Sequence, residues 1–166
     1  MKSLLFFRHG KSDWGADYAH DHDRPLARRG RKAARDMGLW LATTDSLPDS
    51  IICSSATRTR QTLQHATEAD SWNASSRITS QLYGASLDDI IVLLHQEPDA
   101  TQSLMLIGHE PTCSRAIQTL TSQEVARFPT AAMARIDLPI LSWRDASMHG
   151  GTLKWIRTPK DGSTFY

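Results

Sequence analysis

The chain has 166 residues, the size of one ordinary globular domain with a real core. An apolar fraction of 40% and a charged fraction of 22% exclude disorder and coiled coil as overall descriptions. The net charge of +1 carries no basic excess that would suggest a nucleic-acid partner, so any anion site must be local.

Basic residues do cluster along one segment, as Arg24, Arg28, Arg29, Arg31, Lys32 and Arg35, and read as the solvated face of one helix. Cys53 and Cys113 form neither a CxxC pair nor a zinc spacing. The apolar start from Leu4 to Phe7 is too short for a signal-peptide core and is ended by Arg8. No apolar stretch approaches the roughly 18 residues of a membrane span. The expectation is a cytoplasmic protein with no membrane partner.

In chain order, residues 3–8 are a continuous apolar run stopped by a charge, which suits a strand buried on both faces. Residues 11–25 are polar and punctuated by Gly15 and Pro25, so they read as a loop. From Leu26 to Leu41 the apolar positions recur at helical spacing. Residues 51–53 form a second short buried strand, and 56–69, free of Gly and Pro, a second helix. Residues 77–83 alternate and read as a strand or extended segment.

Ser86 is placed to cap a helix that begins with Asp88 and Asp89 in its first turn. Residues 103–107 form a third buried strand, and a helix follows Gly108-His109-Glu110-Pro111 to about Leu120. Two further strands are expected at 131–138 and 152–158. Strands alternating with helices give an α/β fold, a mostly parallel central sheet flanked by helices in three layers. With no repeat, linker or low-complexity tract, residues 1–166 read as a single domain.

Sheets of this kind place their sites where strands end and loops begin. Three predicted strand ends carry chemistry: Arg8-His9-Gly10, the segment from Cys53 to Arg58, and Gly108-His109. A phosphoryl group in transfer spreads negative charge over three oxygens, and its catalysis is mostly positioning and charge stabilisation. Arg8 and Arg58 would grip that anion with permanently charged forks. Gly10 would let the backbone approach closely.

His9 is a nucleophile that can be neutral near pH 7, provided its second nitrogen donates to a neighbour that fixes the tautomer. His109, at the start of a helix, would add a donor to the phosphoryl oxygens. These cations supply the positive charge, so neither metal nor cofactor is expected. The run His20-Asp21-His22-Asp23 has metal-binding residue types but no HExxH motif and no matched distal ligands.

RHGKSDW at 8–14 resembles the signature of the histidine phosphatase superfamily, the phosphoglycerate-mutase-like fold. DRPLARRG at 23–30, CSSATRTRQT at 53–62, LYGAS at 82–86 and LIGHEPT at 106–112 resemble its further motifs, in order along the whole chain. The closest resemblance is to the small SixA-type protein phosphohistidine phosphatases. It implies that His9 is transiently phosphorylated while Arg8, Arg58 and His109 hold the phosphoryl group, before water releases phosphate.

Two departures bear on the substrate. Many members carry a glutamate just before the tyrosine of the third motif, as the acid for the leaving oxygen; Ser80, Gln81 and Leu82 precede Tyr83 here. Losing general-acid help costs an ester roughly 10²–10⁴ in rate, whereas phosphohistidine can release an already protonated imidazole. The chain also lacks long insertions that would cover the pocket. The expected substrate is therefore phosphohistidine on a signalling or carrier protein. A small phosphoester, or phospho-recognition without turnover, remains the alternative. Lys11, where glutamine is common, either joins the phosphate site or is a solvated loop lysine.

Overall fold

The computed structural model describes residues 1–68 and 70–161. Ala69 at the end of the predicted second helix, and residues 162–166 of the expected domain, lie outside the described residues. Among those described, the strands are β1 (Lys2–Arg8), β2 (Ser50–Ser54), β3 (Ser75–Thr79), β4 (Ser103–Gly108), β5 (Met133–Leu138) and β6 (Thr152–Arg157). The helices are α1 (Arg28–Ala42), α2 (Thr57–Glu68), α3 (Leu87–Gln96) and α4 (Thr112–Thr121).

The six strands form one sheet in the order β3-β2-β4-β1-β5-β6. The first four in that order run parallel, while β5 is antiparallel to both its neighbours. The sheet is mostly parallel, as expected. Alternate residues of β1 feed two cores. Leu4 and Phe6 pack with Ile90, Leu93 and Leu94 of α3 and Ile117 and Leu120 of α4. Leu5 and Phe7 pack with Met37 and Leu41 of α1 and Ala66 of α2 on the opposite face. Cys53 and Cys113 are free thiols buried one on each face.

Several element boundaries differ from the sequence reading for local reasons. The first helix starts at Arg28 rather than Leu26, because Leu26 bridges Ser12 and gives its N–H to Gln61 Oε1 at 2.7 Å. The segment 77–83 divides: β3 ends at Thr79, whose hydroxyl accepts Gln81 N–H and starts a 3₁₀ turn over Ser80–Leu82. The strand expected at 131–138 begins at Met133, because Ala131 takes a left-handed φ of 61° in the turn before it. In α3 the cap is reciprocal: Asp89 N–H donates to Ser86 Oγ, and Ser86 N–H donates to Asp89 Oδ2.

The strand order and the sides taken by the connecting helices place the site. β1 and β4 are adjacent and parallel, with Arg8 opposite Gly108. The helix after β1 covers one face and the helix after β4 the other. Their carboxyl ends therefore part at a switch point, where α/β sheets open a crevice.

The loop leaving β1 is clamped from both sides. Gly10 N–H donates to Thr62 Oγ1 of α2 at 3.0 Å, and Ala27 N–H donates to Lys11 O at 2.8 Å. The first turn of α1 packs so closely that a Cβ on Gly30 would stand 2.1 Å from Lys11 O, and one on Gly10 2.6 Å from Gly30 O. Both obstructions are backbone, which cannot swing aside. Gly30→Ala is expected to cost about 1–3 kcal/mol of unfolding free energy by overpacking this contact. Urea unfolding checks it, and an unchanged midpoint would contradict the close approach.

Candidate active site

The ends of β1, β4 and β2 bring the predicted residues to one crevice. His9 follows β1, and its N–H donates to Gly108 O at 3.1 Å, while its carbonyl accepts Ala131 N–H at 2.9 Å. His109 follows β4 and Arg58 stands in the first turn of α2. The His9 and His109 ring centres are 5.4 Å apart, and that of Tyr83 is 5.6 Å from His109.

His9 is buried, and its Nδ1 lies 2.7 Å from Gly10 O. A carbonyl oxygen can only accept, so Nδ1 carries the proton and Nε2 keeps a free lone pair. Burial is the main force lowering the His9 pKa, to about 3, and the charges of His109, Arg58 and Arg8 push the same way. The imidazole is therefore neutral at physiological pH. His109 is lowered to about 4, mostly by burial and then by Arg58. Its Nε2 meets Ser54 Oγ at 2.8 Å, and its buried Nδ1 has no partner.

The two arginines are anchored at one end and unsatisfied at the other. Arg8 gives one terminal N–H to Phe128 O at 3.1 Å. Arg58 gives its two terminal nitrogens to Asp21, at the backbone carbonyl (2.8 Å) and at Oδ2 (3.1 Å). The Nε of each is buried without a partner. Leaving such donors unmade is costly in a protein interior. Three orphaned nitrogens, on Arg8, Arg58 and His109, fit an oxyanion of several acceptor oxygens.

Asp21 joins more of the site than its sequence context suggested. Its carboxylate accepts from Tyr83 Oη at 2.7 Å, from Arg58, and from Arg24 through a short ion pair. Tyr83 first, then the arginines, hold its pKa well below the usual carboxylate range. His22 bonds Ser55 Oγ at 2.9 Å and meets Tyr83 edge-on. Within the HDHD run it is Asp21 that brackets Arg58, and among the described residues no cluster of His, Cys, Asp or Glu could hold a metal.

Arg24 is buried and outside α1, so it does not belong to the solvated helical face, whereas Arg31, which donates to Leu26 O, is exposed there. The remainder, Arg28, Arg29, Lys32 and Arg35, is exposed on α1. Lys11 lines an open groove beside the crevice with Trp14 and Arg28. Burial pushes the Cys53 thiol up to about 12, so it presents no thiolate to the site.

The sequence reading placed Asp21, Ser54 and Thr62 in motifs but gave them no role at the site. Their roles depend on contacts across 37 to 62 positions that no local pattern reports.

Comparison with known proteins defines the class. Residues 4–85 match the histidine phosphatase superfamily (branch 1). An uncharacterised protein of Mycobacterium tuberculosis is 38% identical over 137 residues, covering 76% of this chain and 84% of that one. The chain belongs to the histidine phosphatase superfamily, and this membership supports a phosphatase.

Among solved structures, one assigned as the phosphohistidine phosphatase SixA of Nakamurella multipartitia superposes with a TM-score of 0.84 at 26% identity, covering 95% of this chain and 96% of that one. A second, assigned as SixA of Agrobacterium tumefaciens, gives 0.80 at 25% identity, over 95% and 99%. An uncharacterised chloroplastic protein of Arabidopsis thaliana is 27% identical over 93% of this chain and 74% of its own length.

The buried histidines make stability depend on pH. The folded values are about 3 for His9 and about 4 for His109, against 6.5 ordinarily. Between those limits the unfolded chain binds more protons, so stability is full above about 6.5 and falls as pH falls. The gradient approaches about 1.4 kcal/mol per pH unit for each histidine. His9→Gln is expected to show a shallower loss on acidification from about pH 6.5 to 5. Equal slopes in urea unfolding for variant and wild type would contradict the buried neutral imidazole.

Proposed function

We propose that this protein is a phosphohistidine phosphatase, hydrolysing phosphoryl groups carried on histidine of a signalling or carrier protein. The observation that carries the reading is His9: a buried neutral imidazole whose Nδ1–H is committed to Gly10 O, so Nε2 is free to attack. The unpartnered nitrogens of Arg8, Arg58 and His109 support the reading, the two guanidiniums supplying positive charge and the neutral His109 ring a polar contact.

The reaction then runs in two displacements. The Nε2 lone pair of His9 forms a bond to phosphorus as the substrate's P–N bond breaks, and the substrate imidazole leaves with its proton. The phosphoryl group now sits on His9. Water next attacks phosphorus, the bond to His9 Nε2 breaks, and phosphate departs with the water's oxygen while His9 returns to its starting tautomer. Arg8 and Arg58 stabilise the spreading oxygen charge in both steps, with Gly10 and Lys11 at the loop beside them. No metal and no cofactor enters.

Among the described residues, the carboxylates of Asp21, Glu110 and Asp89 are each engaged elsewhere, which favours phosphohistidine over an alkyl ester. Asp21 is held ionised by Tyr83 and the arginines. Both oxygens of the Glu110 carboxylate accept from Ser114, at 2.8 and 2.7 Å. Asp89 is spent on the α3 cap. Without a donated proton an alkoxide leaves slowly, while an imidazole protonated before cleavage leaves readily.

The test compares wild type and His9→Ala, with EDTA present, on a histidine-phosphorylated carrier domain and on glycerol phosphate, an alkyl ester whose leaving oxygen needs a proton. The expected outcome is fast carrier dephosphorylation and slow ester hydrolysis by wild type, with both lost in His9→Ala. Arg58→Ala is expected to lower carrier kcat by about 10²–10³-fold, the cost of one stabilising donor group. Efficient ester turnover with an inert carrier would move the substrate to small phosphoesters. Carrier turnover surviving in His9→Ala would sink the mechanism.

A further inference from the structure

We propose that the groove beside the crevice, walled by Trp14 and the first turns of α1, docks an acidic segment of the phosphorylated partner protein. The inference rests on the phosphohistidine-protein reading above and adds to it a place where the partner is held.

The groove has a volume of about 570 Å³, and its lining includes Lys11, Trp14, Ala27, Arg28, Arg29 and Lys32. Its charge is strongly one-sided. Lys32 is paired with Asp36 at 2.6 Å, and the lining carboxylate of Asp13, which accepts Gly15 N–H, offsets only one of the other three cations. Among the described residues no ion pair engages Lys11, Arg28 or Arg29. These cations also stand at the wrong end of their helix. The first turn of α1 holds no acidic residue and its N-cap, Ala27, gives no side-chain bond. The positive end of a helix dipole favours anions, so placing Arg28 and Arg29 there is unfavourable until negative charge arrives.

Trp14 supplies the apolar wall and is 65% exposed. One ring face is covered by the Arg24 guanidinium at 3.6 Å, which fixes the indole instead of leaving it to swing. A rigid exposed aromatic beside unpaired arginines is the composition of a binding hot spot.

Arg24 also joins groove to crevice. Its Nε donates to Ser12 Oγ at 3.0 Å, and its terminal nitrogen binds the Asp21 carboxylate that holds Arg58. Ser12 lies only three positions after His9. A protein segment bearing several carboxylates answers the row of cations along an open groove, and seating it there would bring a neighbouring phosphohistidine over His9.

The test uses Arg28→Glu/Arg29→Glu and Trp14→Ala, each first shown to melt as wild type does. Two substrates are compared, a histidine-phosphorylated carrier domain and phosphoramidate, which offers the same P–N bond without a protein surface. The double reversal is expected to lower carrier kcat/KM about tenfold or more at low salt, through KM, as loss of charge steering does. The deficit should close at high salt, phosphoramidate turnover should stay unchanged, and Trp14→Ala should raise carrier KM at both salt levels.

Carrier turnover untouched by the reversal would overturn the groove alone, as would equal losses on both substrates. Wild type that cleaves phosphoramidate but leaves the carrier phosphorylated would instead remove the phosphohistidine-protein reading. If the reversal released the protein from phosphatidylserine vesicles while sparing the carrier, the groove would belong to a membrane surface and the proposal would fail.

Discussion

A single hydrogen bond decides what His9 can do. Its Nδ1 faces Gly10 O at 2.7 Å, and since a carbonyl cannot donate, the ring is locked in one tautomer. Burial then keeps the ring neutral, with the neighbouring cations reinforcing the effect. Contacts on both sides hold the loop that carries the Gly10 carbonyl. Thr62 takes the Gly10 N–H, the first turn of α1 presses Gly30 against Lys11, and the Ala131 turn takes the His9 carbonyl. Two glycines meet at that contact because any side chain there would collide with backbone.

Around this ring the protein concentrates positive charge that it does not itself neutralise. Arg58 has one carboxylate neighbour in Asp21, and Asp21 is shared with Arg24 and Tyr83. The shared acid positions the guanidinium while leaving its Nε unspent. The design suits a dianionic group that enters, is held, and must leave again. Full neutralisation by a private carboxylate would weaken phosphate binding; no carboxylate at all would leave Arg58 without a fixed orientation.

The sheet and its helices were legible because apolar runs in β1, β2 and β4 are buried on both faces and read as such. The meeting of the candidate site residues was legible for a related reason: parallel strands bring their carboxyl ends together, so residues just after three buried runs had to converge. What the sequence hid was lateral. Asp21 lies in a polar run that read as a loop, yet its partners are at positions 24, 58 and 83. Arg24 counted with the helical cations but is buried against Ser12 and Trp14. Such contacts are fixed by how the loop folds over α2, and residue spacing carries no record of it. The edge segment 77–83 misled for the opposite reason, since its alternation continues past Thr79, where a side-chain bond turns the chain.

The central claim, a phosphoryl group carried on His9 Nε2, is tested most directly by trapping it. Wild-type protein would be mixed briefly with radiolabelled phosphohistidine carrier, quenched in alkali, where phosphohistidine survives, and digested for mass spectrometry. The account predicts label on the peptide containing His9, acid-labile and absent from His9→Ala. Label on another residue, or rapid phosphate release by wild type under conditions that trap no phosphoenzyme, would contradict it.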